Sequence, residues 1–385
     1  MSLQVGIAML CNTIQTQFMK ILHVLSTPRA EGTPNLVLDW LGTGRHQQEV
    51  FVLNSQPADL TDRLREKAYW YGEENYYSQG RRKFTNIAVG IRRVCSARKP
   101  DLLICWPTGF ANWVCLGARC AGVRNLLVHS GNPPNRGFKG DWMSRYGIWP
   151  LWLFGAKVIC CSDYVRSQFL GIPGIPSSVF HTVWNCARVA QVKQRAELAR
   201  SRRPMDGSRP TAVMVATLER HKDHIAILNA VPRVLQSIPD FQLLLVGDGT
   251  LRGDLEKLVN DLGIGGSVRF MGTRKDVPEI LGSSDLFVLS TTPQEGLGTV
   301  MIEALAAGLQ VIATDVSACR ELLNSGVYGT LVPSNSPELL GSAIIEKLDG
   351  RSTNGEDSLR YAMTFTPERM MESYLRIAGN GLTDA

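Results

Sequence analysis

The stretch STTPQEGLGTVMIEALAAG, residues 290–308, decides how the rest of the chain reads. It follows the apolar run Leu286–Leu289, so a strand ends near Ser290. A loop containing Gly296 and Gly298 comes next, and the pattern over 299–307 predicts a helix. Glycine permits close approach of the backbone to a ligand. The first turn of a helix leaves amide N–H groups unpaired and carries about half a positive charge. Together these features bind phosphate without needing a basic side chain. Two carboxylates, Glu295 and Glu303, bracket the helix start. At about 1.5 Å rise per residue plus the loop, they stand on the order of 10 Å apart. That separation suits a nucleotide sugar laid across the helix end. Glu295 would accept hydrogen bonds from sugar hydroxyls and Glu303 from the ribose. The pyrophosphate would lie between them, over Gly296, Leu297, Gly298 and Thr299.

Outward from this stretch, short apolar runs alternate with longer helical patterns along the chain. The expected strands are 20–25, 50–53, 102–105, 126–129 and 157–161 in the first half, and 212–215, 242–246, 268–271, 286–289 and 311–313 in the second. Continuous apolar strands separated by helices indicate an α/β fold with parallel sheets covered on both faces. At 385 residues the length suggests two such domains. Residues 191–210, rich in Arg, Ser and Pro without apolar periodicity, read as the segment containing the linker. Two doubly wound domains so joined leave a cleft between the carboxyl ends of their sheets, where ligands bind.

The hydrophobic fraction is 44% and the charged fraction 20%, so each half can bury a core. A formal charge of +6 suits a phosphorylated ligand or an acidic membrane surface and is too weak to indicate nucleic acid. Nine cysteines, none in CxxC spacing, read as buried free thiols of a reducing cytosol. No run reaches the roughly 18 apolar residues of a membrane span. Residues 1–18 lack a basic n-region, so a secretory signal is not expected and the fold is expected to begin at Met19.

With both glycines and the preceding strand, the Glu295–Glu303 stretch resembles glycosyltransferase family 4, whose retaining GT-B members carry an E-x7-E arrangement at this place. The resemblance implies a GT-B fold of two Rossmann-like, doubly wound domains facing an interdomain cleft. The first, acceptor-binding domain would span 19–190 and the donor-binding domain 208–365, with a last helix at 366–379 crossing back onto the first. Lys222 matches a family lysine that contacts the donor phosphate. Thr217 stands where many members have Arg, and Arg220 is the nearest substitute. Gly247 falls in the loop after the second strand of the donor domain, and Arg274 in the loop that contacts the base. His129 matches a family histidine near the donor sugar, followed at the cleft by Gly131 and Asn132. Gly32 belongs to a thin version of the family's first glycine loop. Asp315–Glu321 lacks the family's glycines and is assigned no contact.

The resemblance further implies retention at the anomeric carbon, with Glu295, Lys222 and His129 carrying the chemistry. The donor is expected to be a UDP-sugar, UDP-glucose by preference, and the acceptor a saccharide or a lipid-linked saccharide. No DxD sequence occurs, so neither a metal nor another cofactor is expected. Arg81, Arg82, Lys83, Arg92 and Arg93 flank Phe84, Ile87, Ile91 and Val94 at helical spacing. With Trp142, Trp149, Trp152 and Phe154 they are the candidates for peripheral contact of a cytoplasmic protein with the inner membrane face, or else form a solvated surface and core. Two other readings stay open: a sugar-nucleotide epimerase, and a catalytically silent sugar-nucleotide-binding subunit.

Overall fold

A computed structural model describes residues 18–30, 32–41, 43, 46–106, 108–134, 147–203, 209–350 and 356–379. Among them, thirteen strands form two parallel sheets. The first contains β1 (Lys20–Leu25), β2 (Gln47–Val52), β3 (Trp70–Glu73), β4 (Leu102–Cys105), β5 (Asn125–Ser130), β6 (Lys157–Cys160) and β7 (Phe180–Thr182), ordered β3-β2-β1-β4-β5-β6-β7. The second contains β8 (Thr211–Val215), β9 (Gln242–Val246), β10 (Val268–Gly272), β11 (Leu286–Leu289), β12 (Gln310–Thr314) and β13 (Thr330–Val332), ordered β10-β9-β8-β11-β12-β13. In both sheets the order grows outward to either side of the first strand, as in doubly wound folds. It therefore reverses between β1 and β4, and again between β8 and β11. Leu102–Cys105 and Leu286–Leu289 are buried throughout, because helices cover both sheet faces.

All ten expected strands are present. The three unexpected ones, β3, β7 and β13, lie at sheet edges. An edge strand is covered on fewer sides and need not be a continuous apolar run, and WYGE in β3 is not one. β2 begins three residues before the expected 50–53. Its first half is polar yet buried. Gln48 donates to the carbonyls of Trp40 and Thr43 at 3.0 and 2.9 Å, and the fully buried Glu49 pairs with Arg98. Satisfied polar groups erased the apolar signal there.

The first part of the segment 191–210, whose C-terminal part is the expected linker, belongs to a helix, Val189–Ser201, docked on the second-domain helices Val277–Gly282 and Thr299–Ala306. The segment's arginines hide the periodicity because they serve as ion-pair partners. Arg195 grips Glu279 through two 2.7 Å bonds, and Arg203 grips Asp285 at 2.7 and 2.9 Å. Residues 204–208 of that segment, residues 1–17 and Trp142 lie outside the described residues. Trp149 and Trp152 meet edge to face at 5.7 Å and pack against the core. The last helix, Pro367–Gly379, returns to the first domain, where Tyr374 is fully buried edge-on to Trp40. No helix among the described residues is long and apolar enough to cross a membrane.

A Cβ on Gly282 would lie 2.2 Å from the carbonyl oxygen of Ala196 in the docked helix. Gly282→Ala should therefore cost about 1–3 kcal/mol, read by calorimetry as a lower Tm. An unchanged Tm would mean that the helix is not held against this face.

Candidate active site

The loop after β11 is stitched to the loop after β8. Ser290 Oγ donates to the carbonyl of Asp223 at 2.9 Å, and Thr291 Oγ1 and the Thr292 amide donate to the carbonyl of His221 at 2.9 and 3.0 Å. These bonds bring Lys222, in the short helix Arg220–Lys222, beside Glu295, 73 residues further on. Both loops leave the carboxyl edge of the second sheet at the point where its strand order reverses, which is where ligands of such sheets bind. The chain then turns at Gly298, whose φ of 75° is left-handed, into the helix Thr299–Ala306, which no side chain caps. Its first amides are left to a ligand or to solvent.

Glu295 is 6% exposed and receives Lys222 Nζ at 2.5 Å and the Gly296 amide at 3.2 Å. Burial alone would push its carboxyl up. The charge and hydrogen bond of Lys222 outweigh burial and hold it below the usual carboxylate range. Glu303 is half-buried one turn into the helix, and among the described residues no donor reaches its carboxylate. Desolvation pushes that carboxyl up to about 7, aided by the charge of Asp39. Asp39 comes from the first-domain helix Gly32–Trp40, so Glu303 faces the opposite domain. Asp39 is itself paired with Arg188 at the start of the docked helix.

The first domain closes on this loop. Gly296 packs so tightly that a Cβ there would lie 1.9 Å from the carbonyl oxygen of Gly131 and 3.2 Å from Asn132 Oδ1. His129, at the end of β5, is buried, with Nδ1 2.8 Å from the Tyr374 hydroxyl. Among the described residues its Nε2 has no partner, and a Cβ on Gly131 would stand 3.2 Å from it. Burial pushes the imidazole down to about 4, so it is neutral near pH 7.

Sequence reasoning missed three residues that hold the domains together. Ser162 Oγ donates to the Gly296 carbonyl at 2.7 Å, and the Tyr164 hydroxyl donates to the Pro293 carbonyl at 2.8 Å. Glu321, assigned no contact, accepts the amides of Asp163 and Tyr164 at 2.7 and 2.8 Å across the domain boundary. Serine before a short helix signals a cap in sequence, and Ser162 Oγ does accept the Val165 amide, but which domain supplies the acceptor for its hydroxyl proton is visible only in three dimensions. Other expected residues stand further out. Thr217 and Arg220 are exposed. Arg274 is exposed and bound through two hydrogen bonds to Asp276. Gly247, with φ 137°, lets its loop approach the Ala216 carbonyl, where a Cβ would sit at 2.0 Å. Gly32 opens its helix at the rim with free space around it.

Residues 209–349 match the family model described as glycosyl transferases group 1. In its second domain the chain is thus similar to the glycosyl transferases group 1. A phosphatidyl-myo-inositol mannosyltransferase of Mycobacterium tuberculosis is 33% identical over 179 residues, 42% of this chain and 46% of that protein. The chain thus spans about half the length of this curated relative. A lipopolysaccharide core biosynthesis glycosyltransferase, LpsE, of Rhizobium meliloti is 29% identical over 304 residues, 76% of this chain and 79% of that one. In three dimensions the chain superposes on Anabaena HepE, solved with UDP and glucose, with a TM-score of 0.75 at 17% identity, covering 95% of this chain and all of that one. The fold is GT-B, two Rossmann-like domains meeting at their carboxyl-end loops. The matched segment contains Lys222, Glu295, Glu303 and the glycine loop together.

Lys222→Met would leave Glu295 buried and unpaired, which costs about 3–5 kcal/mol. The native carboxyl is depressed, so the stability it contributes is present above its unfolded value near 4.5 and lost as pH falls through the lower folded value. The difference in unfolding free energy between wild type and Lys222→Met should therefore grow from pH 4 to pH 7, and a pH-independent difference would contradict the pairing. Glu303 behaves oppositely. Its raised carboxyl binds a proton more tightly folded than unfolded, so stability falls as pH rises from about 4.5 through about 7. Glu303→Gln should remove that slope and raise Tm at pH 8 more than at pH 5.

Proposed function

We propose that this chain is a retaining hexosyltransferase that moves a sugar from a nucleoside-diphosphate donor to a saccharide or lipid-linked acceptor. The observation that carries the reading is the uncapped helix start at Thr299, set between Glu295 and Glu303 at the strand reversal, with Lys222 alongside. The helix amides receive the diphosphate, and Lys222 turns from Glu295 towards the oxygen that gains charge as the sugar leaves. Donors fixed where charge develops supply the main catalytic effect. Lys222 and the amides do here what a divalent ion does in metal-dependent transferases. Glu295, released, accepts hydrogen bonds from sugar hydroxyls, and Glu303 accepts them from the ribose. His129, neutral and held by Tyr374, presents Nε2 towards the sugar.

The bond from the anomeric carbon to the phosphate oxygen breaks and the bond to the acceptor oxygen forms on the same face. The acceptor's hydroxyl proton passes to the departing phosphate. The seam of Ser162, Gly131 and Gly296 keeps water from the donor. UDP-glucose is the preferred donor. GDP-mannose is the second reading, favoured by the mannosyltransferases among the relatives, one of them named as GDP-mannose-dependent. The reaction is placed in the cytoplasm, at or near the inner membrane face.

A thermal-shift panel of UDP-glucose, UDP-N-acetylglucosamine, UDP and GDP-mannose should raise Tm with one base only. Glu303→Ala should weaken that nucleotide at least about tenfold, the loss expected when a charge-assisted bond is removed. NMR of the product should show the donor's anomeric configuration. An inverted product, or nucleotide binding indifferent to Glu303, would overturn the assignment.

A further inference from the structure

The first sheet reverses its strand order between β1 and β4 just as the second does between β8 and β11. Aromatic rings gather at that first reversal. The Tyr77 hydroxyl lies beside the side chain of Ser26, which directly follows β1, and Phe110 belongs to the short helix Thr108–Phe110 after β4. Tyr77 stacks on Phe110 at 5.1 Å, Phe110 meets Phe84 at 6.1 Å, and Phe84 meets Trp113 at 5.8 Å. The four half-buried rings form one continuous shelf. Lys83 Nζ stands 5.3 Å from the centre of Phe84 and 5.8 Å from that of Phe110. Arg81 and Arg82 directly precede it, and among the described residues none of these three cations is paired with a carboxylate.

Their position is electrostatically costly. They crowd the start of the helix Lys83–Arg98, whose first turn holds no acidic residue and which no side chain caps. Peptide dipoles already make that end positive, and cations are favoured at the opposite one. An anion bound here would relieve both the dipole and the three cations. β4 also neighbours β5, with strands about 5 Å apart. The shelf therefore lies one strand away from the His129–Asn132 segment that touches the donor loop.

We propose that this shelf is an acceptor subsite for a sugar that carries a phosphate, with the sugar ring stacked on Tyr77 and Phe110 and the phosphate held by Lys83 and the adjoining arginines. The assignment rests on the transferase reading above. The phosphate is borne by a soluble sugar or by a lipid headgroup, and the recognising chemistry is the same.

Ligand-observed NMR titration of the whole chain, saturated with UDP to fill the donor side, tests the site. Glucose 6-phosphate should bind at least about tenfold more tightly than methyl glucoside, and Lys83→Gln should erase most of that advantage. Phe110→Ala should weaken both sugars. Binding to phosphatidylglycerol vesicles but not to phosphatidylcholine vesicles, lost in Lys83→Gln and without affinity for glucose 6-phosphate, would place the phosphate on a lipid. Equal affinity for phosphorylated and neutral sugars with no vesicle preference, or a Lys83→Gln variant indistinguishable from wild type, would overturn the proposal. UDP and GDP affinities measured on the same samples separate the two readings, because the absence of both counts against the transferase rather than the shelf.

Discussion

A carboxylate that is 6% exposed cannot stay charged without a partner, and the site is organised around that requirement. Lys222 is the partner of Glu295, and the loops after β8 and β11 are laced together by the hydroxyls of Ser290 and Thr291 so that the two meet. The pair sets the position of the glycine turn that follows, and the turn sets the direction in which the helix at Thr299 aims its amides. Packing delivers charge to one point without any need for the residues to be near in sequence.

Beside this polar centre the two domains touch through groups that leave no room. Gly296 against Gly131 is a contact of backbone with backbone, which only glycine allows. Ser162, Tyr164 and Glu321 surround it with hydrogen bonds that satisfy loop amides and carbonyls across the boundary. Directional bonds thus specify the closed arrangement at this loop. Such bonds can part and re-form as a ligand enters and leaves.

Most of the sheet architecture is legible in sequence because buried parallel strands must be apolar on both faces, as LLIC and LFVL are. The edge strands are not legible, since an edge is only partly covered. Nor is the polar start of β2, where Gln48 and Glu49 find partners inside the protein. The helix Val189–Ser201 escapes notice because its Arg195 pairs with Glu279, which lies far along the chain. At the site, Glu295, Glu303 and the glycine turn could be read from local spacing. That Lys222 pairs with Glu295, that Tyr374 steadies His129 and that Glu321 reaches the other domain are long-range facts that no local pattern encodes.

The return of the helix Pro367–Gly379 has a consequence for the order in which the molecule is made. Met370, Met371 and Tyr374 fill the same core as Ile21, Val37 and Trp40, so that core lacks some of its side chains until the ribosome has translated them. At about 5–20 residues per second, they are added within about a second of the end of the second domain at residue 365. The unit begun first is therefore finished last, and its apolar surface stays incompletely covered until almost the whole of the second domain has been made.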